Sequence, residues 1–390
     1  MNHASRAVVG LFALTGCPSH PMSDDAAACA SPGAPRLFVS TTDYTTGQLA
    51  AIDLAQGCAH DGIAPISGDA VLAWQGSQLV VMNSGQGPDG PEDNVTLFDV
   101  TVDPPRLACQ LAAHLAGEMG TGNPRGYLAV DSHRGYLTRF SQSSIAIIDT
   151  SACAVLGTID LSPFRGPATL PFARPIALVG SEAWVALERL PPSLTNPTTP
   201  GAIVRIDPHT DAPIDSDATQ DGVQAIELLH ANPVGHFAQR NGRVWIACVG
   251  AYQSIDDGAV EEIDLATHVV SDAVTETTMH GNVDAVIALD DDRLLLRVVG
   301  QAGTGLAIAS TQLIAWQRST HTASSAWITV ANYALTEPVL ASNGRVYVGD
   351  RGDESAHRAA SIRVFDAATG TELTAISATA LPPYDLLATP

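Results

Sequence analysis

The sequence predicts an all-β chain, a seven-bladed β-propeller of four-stranded blades with its ring closed by the C-terminal strand. Three observations predict it. First, a short strand ending on an acid or its amide, followed by a turn, recurs seven times, at Asp53, Asp99, Asp149, Asp207, Asp264, Gln317 and Asp366. The intervals of 46 to 58 residues suit a propeller blade and exceed most helical repeats. Second, 33 Gly and 25 Pro separate short runs of small and β-branched residues, which is strand-and-turn punctuation. Third, the first repeat lacks an innermost strand, and an unused one stands at the end of the chain.

Each repeat divides into strands A to D, with the acid-terminated strand as C. Its Asp is expected to cap the following turn by accepting backbone N–H bonds. Six equivalent Asp residues are architecture, not catalysis. Strand B precedes C and often opens on a Gly turn, as in Gly135-Tyr136-Leu137-Thr138 and Gly242-Arg243-Val244-Trp245. Strand A precedes B and usually opens on Pro, which is tolerated where no ladder donor is needed; Arg174-Pro175-Ile176 and Asn232-Pro233-Val234 are examples. In the first repeat Arg36-Leu37-Phe38-Val39 is already a B strand. Leu381-Pro382-Pro383-Tyr384-Asp385-Leu386-Leu387 has the A-strand pattern but begins no further blade. Placed inside the first blade, it closes the ring and removes an open edge.

The amino terminus predicts a different compartment from the cytoplasm. Arg6, an apolar run to Leu14 and the tetrad Leu14-Thr15-Gly16-Cys17 read as a lipoprotein signal peptide over 1–16. The lipobox-like ending marks Cys17 for lipidation. Residues 17–35 are poor in core-forming side chains and read as a flexible tether; the propeller then occupies 36–390. Anchoring through an acylated Cys17 places the chain in the cell envelope, at the outer membrane or cell surface. Five cysteines remain, so at least one stays free. Cys29 at the tether's end and Cys58 at the first C–D turn are expected to bridge, fastening tether to ring. Cys248 lies in an inner-strand pattern and reads as a small buried hydrophobe.

All 19 basic residues are arginine, and the net charge is −22. Such a surface repels polyanions, so nucleic acid is not an expected partner. The chain is expected to be monomeric. In a propeller the B–C and D–A connections share one face, around the mouth of the central channel, and the long inserts fall there: 85–94, 190–201, 251–258 and 349–360. The D–A connections bring Asn123, Arg125, Arg174, Asn232, His236, Asp284, Glu337 and Asp385 to the same mouth, which makes them the candidate ligand-binding face. No Gly-x-Ser-x-Gly, phosphate-binding loop or His-Glu-x-x-His is present. No cofactor is expected. Calcium is a subordinate option at the acidic loop of Asp89, Glu92 and Asp93, and a weaker one at Asp215, Asp217 and Asp221, where the Gly of a calcium loop is displaced and Ile226 stands in place of its closing carboxylate.

With the repeats and lipobox in view, the chain resembles bacterial envelope proteins of the YVTN-type β-propeller class, in particular the lipoprotein propellers of myxobacteria. Gly344-Arg345-Val346-Tyr347-Val348, Ile362-Arg363-Val364-Phe365-Asp366 and the closing Leu381–Leu386 segment carry the resemblance. It implies a seven-bladed propeller at the envelope and carries over no catalytic motif. The expected function is therefore binding or scaffolding of an envelope protein or small ligand, without catalysis. The competing reading is a lyase or hydrolase at the channel mouth, with His236, Arg125, Arg174 and Asp284 as acid/base and anion-holding groups.

Overall fold

A computed structural model describes residues 36–84, 93–195, 197–252, 254–301, 308–353, 355–377 and 380–389. Seven antiparallel sheets form the ring. In blade 1 the strands B, C and D are Arg36–Thr42, Gly47–Asp53 and Cys58–Ile66. Strand A of that blade is Pro383–Ala388, paired antiparallel with Arg36–Thr42 in the register Leu37 to Ala388 and Val39 to Leu386. The ring is thus closed by the C-terminal strand, as the unused A pattern predicts. Blades 2 to 7 follow in chain order, each with its A strand at the channel.

Alternation along the B strands shows why the ring needs every blade. In blade 1 Leu37 and Val39 pack toward blade 7, while Phe38 packs toward blade 2. In strand B of blade 2 (Gln78–Asn83), Leu79 and Val81 face blade 1, and Val80 and Met82 face blade 3. Both faces are buried, so the B strands read as unbroken apolar runs instead of alternating ones. Among the described residues, seven of the apolar clusters lie one at each interface between adjacent blades.

The Asp at the end of strand C caps its turn as expected. Asp53 accepts from the N–H of Ala55 and Gln56, Asp149 from Ser151 and Ala152, Asp264 from Ala266 and Thr267, and Asp366 from Ala368 and Thr369. In blade 6 the repeat has Gln317, which offers no carboxylate. There Asp292, from the A–B turn on the same face, accepts from Ser319 N–H at 2.7 Å and holds the Gln317 side chain. The cap has moved to a neighbouring turn, and the geometry is kept.

Two outer strands are interrupted. Blade 4 splits into Ala212–Ile214 and Ile226–Glu227, both paired to strand C (Ala202–Asp207), and blade 6 is split in the same way. Cys109, on the outer strand of blade 2 (Arg106–Ala112), forms a disulfide with Cys153 in the C–D turn of blade 3. Cys58 is also disulfide-bonded; its expected partner Cys29 lies outside the described residues, as do Cys17 and the segments expected to be the signal peptide (1–16) and the tether (17–35). Cys248 is free and buried, as predicted. No helix among the described residues is long and apolar enough to cross a membrane.

Candidate functional site

The channel mouth is built by irregularities in the innermost strands. Five A strands shift register against their B partners. The residues left out of pairing include Arg125 in Pro124–Ala129, Arg174 in Ala173–Val179, His236 in Pro233–Arg240, Asp284 in Asn282–Ala288 and Tyr384 in Pro383–Ala388. A bulge bends its strand and re-aims one side chain out of the alternation. Repeated around the ring, it collects charged side chains at the axis. All five of these residues except Asp284 line a cavity of about 300 Å³ with apolar walls that include Val71, Met82, Ile176 and Leu335.

The charges are arranged in pairs. His236 Nδ1 lies 2.7 Å from Glu337 Oε2, and Arg125 Nη2 donates to Asp69 Oδ2 at 2.7 Å. Arg297, from strand B of blade 6 (Arg293–Gln301), donates through Nε to Asp284 Oδ1 at 2.7 Å; Tyr333 donates to the other oxygen at 2.8 Å. Arg174 reaches Glu188 Oε1 at 3.4 Å. Asp385 accepts from Leu72 N–H at 2.8 Å, tying blade 1 to blade 2. Arg351 donates to Pro383 O and packs its guanidinium over the Tyr44 ring at 4.4 Å.

These neighbours set the protonation states. The Glu337 carboxylate beside it raises His236 to about 9, above the ordinary histidine value, which favours the imidazolium. Burial would raise Glu337, but His236, Arg297 and Arg174 outweigh it and hold the carboxyl at about 2. Burial pushes Glu188 up to about 7 against the pull of Arg174. It pushes Asp385 to about 6, with Glu337 adding to the rise. The hydroxyls of Tyr252 and Tyr333 are pushed further above their ordinary value, chiefly by burial, and stay neutral.

Of the eight residues expected on this face, Arg125, Arg174, His236, Glu337 and Asp385 line the cavity. Asn123 and Asn232 do not. Both are buried in left-handed backbone, at φ 51° and 59°, where Asn is tolerated. Asn123 takes its N–H to Asp93, and Asn232 its side chain to Gly250 O. They shape the turns. Asp284 is 1% exposed and fully engaged by Arg297 and Tyr333, so it holds the wall together instead of facing a ligand. The four residues named for a catalytic site make no hydrogen bond to one another; each is committed to a different partner.

Sequence reasoning missed Arg297, Glu188, Arg351, Tyr44 and Tyr333. A signal existed for the first two: Arg297 is a charge inside an apolar B strand, in Leu294-Leu295-Leu296-Arg297-Val298-Val299, and Glu188 a charge just past the end of another, in Ala186-Leu187-Glu188. For metals, Asp89 and Glu92 lie outside the described residues. Asp93 is taken up by the N–H groups of Gly122 and Asn123 and by His114. Asp215, Asp217 and Asp221 sit in the interruption of the outer strand of blade 4, away from the channel cavity, and Asp215 and Asp217 accept from backbone N–H groups of their own loop. Among the described residues no group of three metal-ligating side chains converges.

No family model and no curated protein matches the chain. Comparison with solved structures gives distant matches. Apo AztD from Citrobacter koseri is 14% identical over 91% of this chain and 98% of its own, with a TM-score of 0.49. A second Citrobacter koseri AztD structure is 13% identical over the same shares, with a TM-score of 0.48. Hydrazine synthase of Kuenenia stuttgartiensis is 11% identical over 70% of this chain and 71% of its own, with a TM-score of 0.48. Likeness at this level carries no argument about this chain.

Proposed function

We propose that this chain is a lipid-anchored binding protein of the cell envelope that takes its ligand or partner at the channel mouth. The observation carrying the reading is the cavity itself, where side chains thrown out of register by bulges in several blades meet around about 300 Å³. That volume lies at the small end of ligand pockets, and apolar walls with a few convergent polar groups are their usual lining. His236 is a protonated group locked to Glu337, not a free base, so binding is favoured over acid–base chemistry. The envelope location is supported by the bridge from Cys109 to Cys153, since such bonds persist in oxidising compartments.

The test is co-purification of the full lipidated chain with envelope components. Arg174→Gln and His236→Gln are expected to reduce capture, with the melting temperature of each variant as the control for folding. His209→Arg, in the exposed C–D turn of blade 4, is expected to leave capture alone. Capture lost only with His209→Arg would place the working face on the opposite side of the ring.

A further inference from the structure

At two charge pairs of the channel mouth, His236–Glu337 and Arg174–Glu188, the cation is the more exposed partner. The His236 side chain is 59% exposed and that of Arg174 37%, against 22% for Glu337 and 4% for Glu188. The accessible cations are incompletely partnered. Arg174 makes one long bond, through Nη1 to Glu188, and its Nε and Nη2 have no partner among the described residues. His236 uses Nδ1 on Glu337 and leaves Nε2 without one. The two positive groups also oppose each other, since Arg174 works against the protonation of His236. An arrangement of two accessible, like-charged donors is relieved by an anion between them.

We propose that the cavity binds a small organic carboxylate, its carboxylate bridging the Arg174 guanidinium and the His236 Nε2–H and its carbon skeleton lying against the apolar wall. The proposal rests on the reading of the channel mouth as the binding site. A singly charged anion fits better than a phosphate, because Glu337 and Asp385 line the same cavity and penalise a second negative charge. A cationic ligand is disfavoured. The most accessible acid, Glu337, is already held by His236 at 2.7 Å. Ile176, Val71 and Leu335 supply the apolar surface that a bare inorganic anion would leave unused.

The experiment uses the full chain in mild detergent and matched sets of one skeleton: phenylacetate, phenylacetamide and phenethylamine, then hexanoate, hexanamide and hexylamine. Affinities are measured by calorimetry. At least one carboxylate is expected to bind tenfold or more tightly than its amide and amine. Arg174→Gln is expected to weaken it tenfold or more, and Arg174→Lys, which keeps the charge but not the fork, to weaken it less. If Arg174→Gln fails to fold, His236→Gln carries the same comparison. Amides or amines that bind as tightly as the carboxylates overturn the carboxylate assignment; competition with envelope capture then shows that the channel-mouth reading survives. If neither carboxylate binds, the assignment also falls. Capture that stays sensitive to Arg174→Gln keeps the broader reading, and capture that does not removes it too.

Discussion

Ring closure rests on one six-residue strand, and Leu386→Ala tests it. Leu386 is 4% exposed and packs with Leu37, Val39, Tyr347 and Ile362 at the interface of blades 7 and 1, while its backbone pairs with Val39. Truncating a buried Leu removes its transfer free energy and leaves a cavity, which together cost about 2–5 kcal/mol. The surroundings here are two rigid sheets that cannot collapse inward without breaking their own ladders, so the upper half of that range is expected. Leu373, half-exposed on the outer strand of blade 7 (Glu372–Ser377), is the control; its replacement by Ala should stay within about 0.5 kcal/mol. Urea melts followed by tryptophan fluorescence read both. Deleting 381–390 goes further, because it bares the whole edge of Arg36–Thr42 and should cause aggregation. If Leu386→Ala costs no more than the control, or the deleted chain melts like the full one, the velcro-like closure is not what holds the ring.

Cys17→Ser is expected to release the chain from the membrane fraction or block its processing; unchanged fractionation and gel mobility would refute lipidation at that residue. Non-reducing peptide mapping should recover Cys58 linked to Cys29 and Cys109 linked to Cys153, and a peptide joining Cys58 elsewhere would refute the first pairing. Asp284→Arg is expected to lower the melting temperature strongly, since it leaves the buried Arg297 facing a like charge instead of its carboxylate; a variant as stable as the parent would show that this pair is dispensable. Glu188, raised to about 7 by burial, holds its proton more tightly in the folded chain than in the unfolded one. Its favourable contribution is therefore complete below the unfolded value near 4.5 and is lost as pH rises to about 7, at about 1.4 kcal/mol per pK unit. Glu188→Gln should flatten that part of the stability profile, and an unchanged profile would refute the shift.

The blade count, the strand order, the closing strand and the Asp-capped turns were legible in the sequence. Each depends on a local rule that repeats: apolar B strands, Pro-opened A strands, and an acid two or three residues before the N–H groups it caps. Repetition let seven weak signals reinforce one another, so even Gln317 was placed correctly despite lacking the carboxylate. Its substitute Asp292 was not legible, because it comes from another turn 25 residues earlier in the chain. The site was legible in part. Sequence placed Arg125, Arg174, His236, Glu337 and Asp385 at the mouth, since strand order alone brings the A-strand starts to one axis. It did not separate these from Asn123, Asn232 and Asp284, which serve the turns and the wall.

What only the tertiary structure decided was which charges meet. Glu337 lies 101 residues from His236, and Asp385 lies 313 from Leu72, so no spacing rule links them. Their pairing follows from the angular positions of the blades around the channel and from bulges of one to three residues, neither of which leaves a compositional mark. Protonation follows in turn from those pairings: the same carboxyl is held at about 2 in Glu337 and raised to about 7 in Glu188 because one faces His236 and the other is enclosed behind Arg174. A periodic sequence determines a ring because every blade must bury both faces; the chemistry at its centre is decided by contacts between blades, where each residue's neighbours are distant in the chain.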